Sequence, residues 1–178
     1  MLVFRCKDRV IMVSILKTDK IQASHGSTIE VPSGHVLSQP GSVIQVLQNT
    51  RSTYFETSSD SFVDTGFAIT ITPKLATSKI LLQVNVFCTI QNGGQGSINI
   101  YGSAESGLLS SDTYGFGGLY DAGGSTCEGI NTINFLTGVV GSTSARTYTL
   151  YGKSTGTDNS FFLNNNRLST FTALEIAQ

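Results

Sequence analysis

Two adjoining segments alternate apolar and polar residues with a period of two, and nothing in the chain carries a sustained apolar stripe of helical period. In FVDTGFAITITP, Phe67, Ile69 and Ile71 share one face and Ala68, Thr70 and Thr72 the other, and Pro73 ends the run. Side chains that alternate in this way mark a half-buried strand. SKILLQVNVFCTI follows at once, with Ile80, Leu82, Val84, Val86 and Cys88 on one parity and Leu81, Gln83, Asn85, Phe87 and Thr89 on the other. The first set makes a dry face and the second a mixed one, on a strand longer than the usual length of about 5–6 residues. SVIQVLQ (Ser42–Gln48), SINIYG, Ile130–Val140, RTYTLYGKS and Ser169–Ile176 repeat the pattern. Asn92-Gly93-Gly94 reads as a hairpin turn between the long strand and SINIYG. Asn49–Ser61 is polar enough for a loop or weak strand, and Gly102–Gly129 reads as long surface loops with one short strand. About seven to nine strands at short intervals predict an all-β antiparallel sandwich or barrel.

With 178 residues the chain has room for one domain and an arm. The boundary predicted from Pro32, Gly34, Pro40 and Gly41 puts an extended N-terminal arm at 1–41 and the sandwich at 42–178. The arm's apolar residues are too scattered to make a core face, so it needs a partner; Ile15, Leu16, Lys17, Lys20 and Ile21 are its candidate docking residues. Arg5, Lys7, Arg9, Lys17 and Lys20 make up five of the eleven basic residues, yet no aromatic residues interleave them to stack on bases, so no nucleic-acid partner is expected. VIMVSIL (Val10–Leu16) is too short for a signal peptide and runs into Lys17, Asp19 and Lys20 without a small-residue cleavage site. Met12 is an alternative start, which would make 1–11 an upstream extension. No run approaches the 18 or so apolar residues of a membrane span, so no membrane insertion is expected.

Chemistry-bearing motifs are sparse. There is no GxSxG, and His25 and His35 fall on loop-like segments without acidic or Cys ligands at metal spacing. Cys6, Cys88 and Cys127 show no CxxC spacing, and Cys88 in its apolar run behaves as a small hydrophobe. Asp60 with Asp64, or Asp112 with Asp121, would have to approach in space to serve as a glycosidase pair; solvated loop acids are the plainer reading. Gly117-Gly118 and Gly123-Gly124 lack the strand-to-helix setting and the Lys of a phosphate loop and read as turns. Asn164-Asn165-Asn166 with Arg167 also reads as a turn, its Arg free to pair with a carboxylate or a neighbouring subunit. The expectation is no enzyme, no catalytic residue, no cofactor and no metal.

Three pieces in order, SILKTDKIQ, FVDTGFAITITPKLATSKILLQVNV and TYTLYGKS…FFLNNN…STFTALEIAQ, resemble a family of bacteriophage virion proteins common in phages of marine and freshwater bacteria. The resemblance covers most of Ser14–Gln178 and is most specific over Asp64–Leu81 and the closing TALEIAQ. It implies a tail-fibre-like or virion-surface protein, assembled in the host cytoplasm and attached to other virion proteins through its arm. The strand order is similar to the trimeric jelly rolls of the tumour-necrosis-factor and C1q type, which implies a homotrimer. One placement is a fibre tip with Tyr114, Phe116 and Tyr120 facing a host receptor or glycan. The other is a capsid decoration, cement or head-fibre protein that stabilises the head. In either, Leu81 and Phe87 beside Ile80 and Val84 give the long strand more apolar surface than one core needs, and read as a subunit interface.

Overall fold

The computed structural model describes residues 39–123, 126–155, 161–163 and 167–178. Residues 1–38 of the predicted arm, including Ile15, Leu16, Lys17, Lys20 and Ile21, lie outside the described residues, as do Asn164 to Asn166; Cys6, His25 and His35 fall within that part of the arm. The described elements are all strands: β1 (Val43–Arg51), β2 (Phe55–Thr57), β3 (Val63–Ile71), β4 (Lys79–Gln91), β5 (Gly94–Gly102), β6 (Gly107–Leu108), β7 (Gly117–Asp121), β8 (Thr126–Val139), β9 (Arg146–Thr155), β10 (Phe161–Leu163) and β11 (Ser169–Ile176).

They form two antiparallel sheets. In the first, β8 lies along one edge of β4, β11 and β10 share the other edge, and β1 and β2 lie outside these two. In the second, the order is β3-β9-β5, with β6 and β7 sharing the far edge of β5. Treating β1 and β2, β6 and β7, and β10 and β11 as single columns and numbering columns along the chain, the sheets read 6-3-8-1 and 2-7-4-5. Eight columns in that order are a jelly roll, two Greek keys folded into facing sheets. The fold is therefore all-β, an antiparallel sandwich as its alternation predicts.

The inward parity of each strand makes the core. Phe67, Ile69 and Ile71 of β3 and Tyr148 and Leu150 of β9 face Ile80 through Ile90 of β4 and Phe171 and Ala173 of β11. Phe67 and Phe171 meet edge-on across the sandwich, with ring centroids 5.8 Å apart. Each buried aliphatic or aromatic side chain contributes about 1.5–3 kcal/mol. Cys88 is fully buried, which pushes its thiol up to about 12, so it serves as a core hydrophobe.

The turn at Asn92-Gly93 departs from expectation. It does not close a hairpin, because β4 belongs to the first sheet and β5 to the second; it carries the chain across the sandwich. Asn92 (φ 66°) and Gly93 (φ 73°) both take left-handed backbone there, and Asp121 accepts the Gly93 N–H at 2.9 Å. A turn signal fixes a reversal, but both flanking strands carry a dry face, and packing those faces against each other requires opposite sheets. The Gly102–Gly129 stretch is also more ordered than loops alone: β6, β7 and the start of β8 fall in it.

Candidate functional site

The outer face of the first sheet should be polar in a sandwich that meets only water. Instead, cross-strand partners place Val46, Leu174, Leu81 and Leu136 in one row that spans all four columns. Val43, Ile176, Lys79 and Val139 make the adjacent row. Partnered residues share a face, so these side chains form one patch, and Val46 at 56% and Val139 at 57% exposure show how much of it is open. The next row, Gln48, Thr172, Gln83 and Asn134, is polar and closed on itself: Gln48 donates to Thr172 at 3.1 Å and Gln83 to Asn134 at 3.0 Å.

Of the two predicted interface residues, Leu81 sits at the centre of this patch and Phe87 lies further along β4, beyond the polar rows. Phe87 is only 6% exposed because the Arg167 guanidinium covers its ring at 3.8 Å. Arg167 also pairs with Glu128 at 3.6 Å, so the sequence expectation that it meets a carboxylate is met within the chain. A small cavity of about 140 Å³ lies beside it, between Phe87, Ile130 and Leu168.

The outer face of the second sheet is built differently. Residues 108–114 fold back over it, tied down by Asn99, whose amide donates to the Ser110 carbonyl at 2.9 Å and accepts the Ser110 N–H at 3.2 Å. A cleft of about 470 Å³ remains between this loop and the segment before β3, with Asp60, Ser61, Phe62, Ser111, Asp112 and Lys153 in its walls. The Lys153 ammonium lies over the Phe62 ring at 4.9 Å and the Tyr114 ring at 5.7 Å.

The predicted loop aromatics are not brought together. Tyr114, 49% exposed, stands at the cleft, and Tyr120, 68% exposed, lies toward the other end of β7, opposite Gln95. Phe116 turns inward onto Phe135, with centroids 5.1 Å apart, and packs against the core. The four acidic residues weighed as carboxylate pairs are also sorted differently. Asp64 accepts the Gly66 N–H at 2.6 Å in the β3 bulge, and Asp121 clasps Gly93 and Gly123, so both hold backbone. Asp60 and Asp112, one from each sequence pair, both line the cleft instead. Lys153 and Phe62 escape sequence reasoning because a single Lys on a strand and a Phe at a strand's start carry no motif. Among the described residues no group of three or more His, Cys, Asp or Glu could hold a metal ion, and no helix is long and apolar enough to cross a membrane.

The strand order and the two outer faces define a jelly-roll module with one apolar face. No protein-family model matches the sequence, and no curated protein sequence matches it. Among solved structures, the chain is similar to that of infectious bursal disease virus, Gx strain, at 16% identity and a TM-score of 0.40, covering 75% of this chain and 36% of that one. The Gt strain structure gives 13% identity and a TM-score of 0.37 over 85% of this chain and 42% of that one. The VP2 subviral particle of the same virus gives 15% identity and a TM-score of 0.37 over 75% and 37%. The chain thus spans little more than a third of the first of these, 36% of its length.

Proposed function

We propose that this chain is a non-enzymatic virion structural protein, a bacteriophage tail-fibre-like or receptor-binding surface module that assembles as a homotrimer and attaches to other virion proteins through residues 1–41. The observation that carries the reading is the double apolar row on the outer face of the first sheet, from Val46 and Val43 across Leu174, Ile176 and Leu81 to Leu136 and Val139. Contiguous exposed apolar surface of this kind marks a protein contact. Its occupant is a second copy of the chain, because the patch is self-complementary: aliphatic side chains with Lys79 as the one charge in the two rows, bordered by a polar row whose hydrogen bonds are already made. The last strand contributes Leu174 and Ile176 to the patch, which agrees in kind with jelly-roll trimers whose final strand ends near the threefold axis, a fold analogy.

Sedimentation of the purified protein tests the assembly, with a trimer expected. Val46 and Leu136 are about half exposed within one copy, so Val46→Lys with Leu136→Lys leaves the fold intact and is expected to give monomers. A wild-type monomer at tens of micromolar, the range of weak specific assembly, overturns the trimer. Virions labelled with an antibody to this protein test the placement: signal at the tail supports the fibre reading, and signal over the head replaces it with capsid decoration.

A further inference from the structure

We infer that the cleft beside Lys153 binds a neutral sugar ring, a hexose or pentose unit of a larger glycan. This deepens the surface-module reading by naming a ligand, and rests on that reading only for where the glycan would be met.

Lys153 is the first observation. The residue is 6% exposed and its side chain reaches the cleft between two aromatic rings, yet among the described residues its ammonium makes no ion pair and no hydrogen bond. The ammonium opens into the cleft, where its three N–H donors are available to a ligand oxygen. The faces of Phe62 and Tyr114 attract the ammonium, but they accept no ordinary hydrogen bond. An oxygen atom from a ligand would complete the shell.

The carboxylates supply the opposite need. Asp112 uses Oδ1 to accept the Tyr114 N–H at 2.7 Å, and Asp60 uses Oδ1 to accept the Ser61 hydroxyl at 3.2 Å. The second oxygen of each is left to accept from a ligand. A cleft that offers a donor at one point and acceptors at two others fits groups that both give and take hydrogen bonds, and adjacent hydroxyls on a ring do both. The half-exposed Tyr114 ring offers a flat apolar surface for the C–H face of such a ring.

Charge decides between neutral and acidic sugars. Two carboxylates against one ammonium leave the walls with one net negative charge, so a carboxylated or sulfated sugar would meet like charge. Nucleotides and phosphate are disfavoured for the same reason. The walls are also held in place before any ligand arrives: Asn99 fixes Ser110, and the Ser110 hydroxyl donates to the Gly115 carbonyl at 3.0 Å. A volume of about 470 Å³ falls within the range of about 300–1,000 Å³ usual for small-ligand sites.

The test is NMR titration of the full-length protein with glucose, galactose, mannose and xylose, alongside glucuronic acid and galactose 6-sulfate. At least one neutral sugar should shift the resonances of Phe62, Asp112, Tyr114 and Lys153 to saturation. Lys153→Met and Tyr114→Ala should each weaken that binding about tenfold or more. Asp112→Asn, which keeps the acceptor for the Tyr114 N–H, should also weaken it. The inference falls if no neutral sugar saturates these shifts, if the acidic sugars bind more tightly, or if Tyr114→Ala, at an exposed and safely mutable position, leaves affinity within about twofold. Sedimentation of the same samples reads assembly separately. A monomer that binds sugar overturns the trimer and upholds the cleft; a trimer that binds none does the reverse.

Discussion

Glu175 carries a carboxylate that is fully buried at the closed end of the sandwich, where β11 meets β1 and the turn between β3 and β4. It accepts hydrogen bonds from the backbone N–H of Lys74 at 2.9 Å and Leu75 at 3.0 Å, from the Ser78 hydroxyl at 2.6 Å and from the Gln45 amide at 2.6 Å. Burial by itself would raise its pKa, but these donors outweigh burial and hold it below the ordinary 4.5. The folded value is thus lower than the unfolded one, so the carboxylate's stabilisation is fully present above pH 4.5 and is lost as pH falls through the folded value. Glu175→Gln turns an amide toward donors and should cost about 2–3 kcal/mol at neutral pH. In urea titrations the gap between wild type and variant should narrow below pH 4.5; a gap that stays constant to pH 3, well beneath the ordinary carboxylate range, would mean that folding does not lower the carboxyl's pKa. Part of this residue was legible, because its parity with Phe171 and Ala173 puts it inward. Its partners were not, since they come from two separate stretches of chain, β1 and the turn between β3 and β4, that only the fold brings to it.

At the scale of elements, legibility follows length and alternation. β3, β4, β5, β9 and β11 each bury one parity against the other sheet, and a face that must be dry leaves its period in the sequence. β2, β6 and β7 are three, two and five residues long and lie in polar or Gly-rich sequence, so the strands they pair with define them, not any pattern of their own. β7 illustrates the constraint that replaces pattern. Gly118 lies opposite Ser97 on β5, and a Cβ at 118 would run into the Gly96 carbonyl oxygen. Backbone cannot yield as a flexible side chain can, so Gly118→Ala should open the β5–β7 ladder and cost about 1–3 kcal/mol. Hydrogen exchange would report it: the amides of Gly96 to Ile98 and of Leu119 should lose protection, while those of β4 and β11 keep theirs. Unchanged protection in β7 would mean the strand has room that its packing denies.

Across the whole molecule, the two outer faces of one sandwich differ in character. The first sheet presents aliphatic rows that suit another copy, and the second presents a polar cleft around Lys153 that suits a small hydroxyl-rich ligand. Neither face blocks the other, so an assembled module would keep its clefts open. Because the apolar rows lie entirely within residues 43–176, assembly through them should not require the arm. Residues 36–178 make up a compact unit by themselves, so a chain beginning at Val36 should fold with an unchanged urea midpoint and sediment as the full chain does. Loss of the arm should instead remove incorporation into particles, measured by mixing the shortened protein with particles that lack the wild-type copy. A shortened chain that folds but sediments as a monomer, beside a trimeric full chain, would move the assembly determinant into 1–35. The apolar face would then have to be covered by something other than a second sandwich.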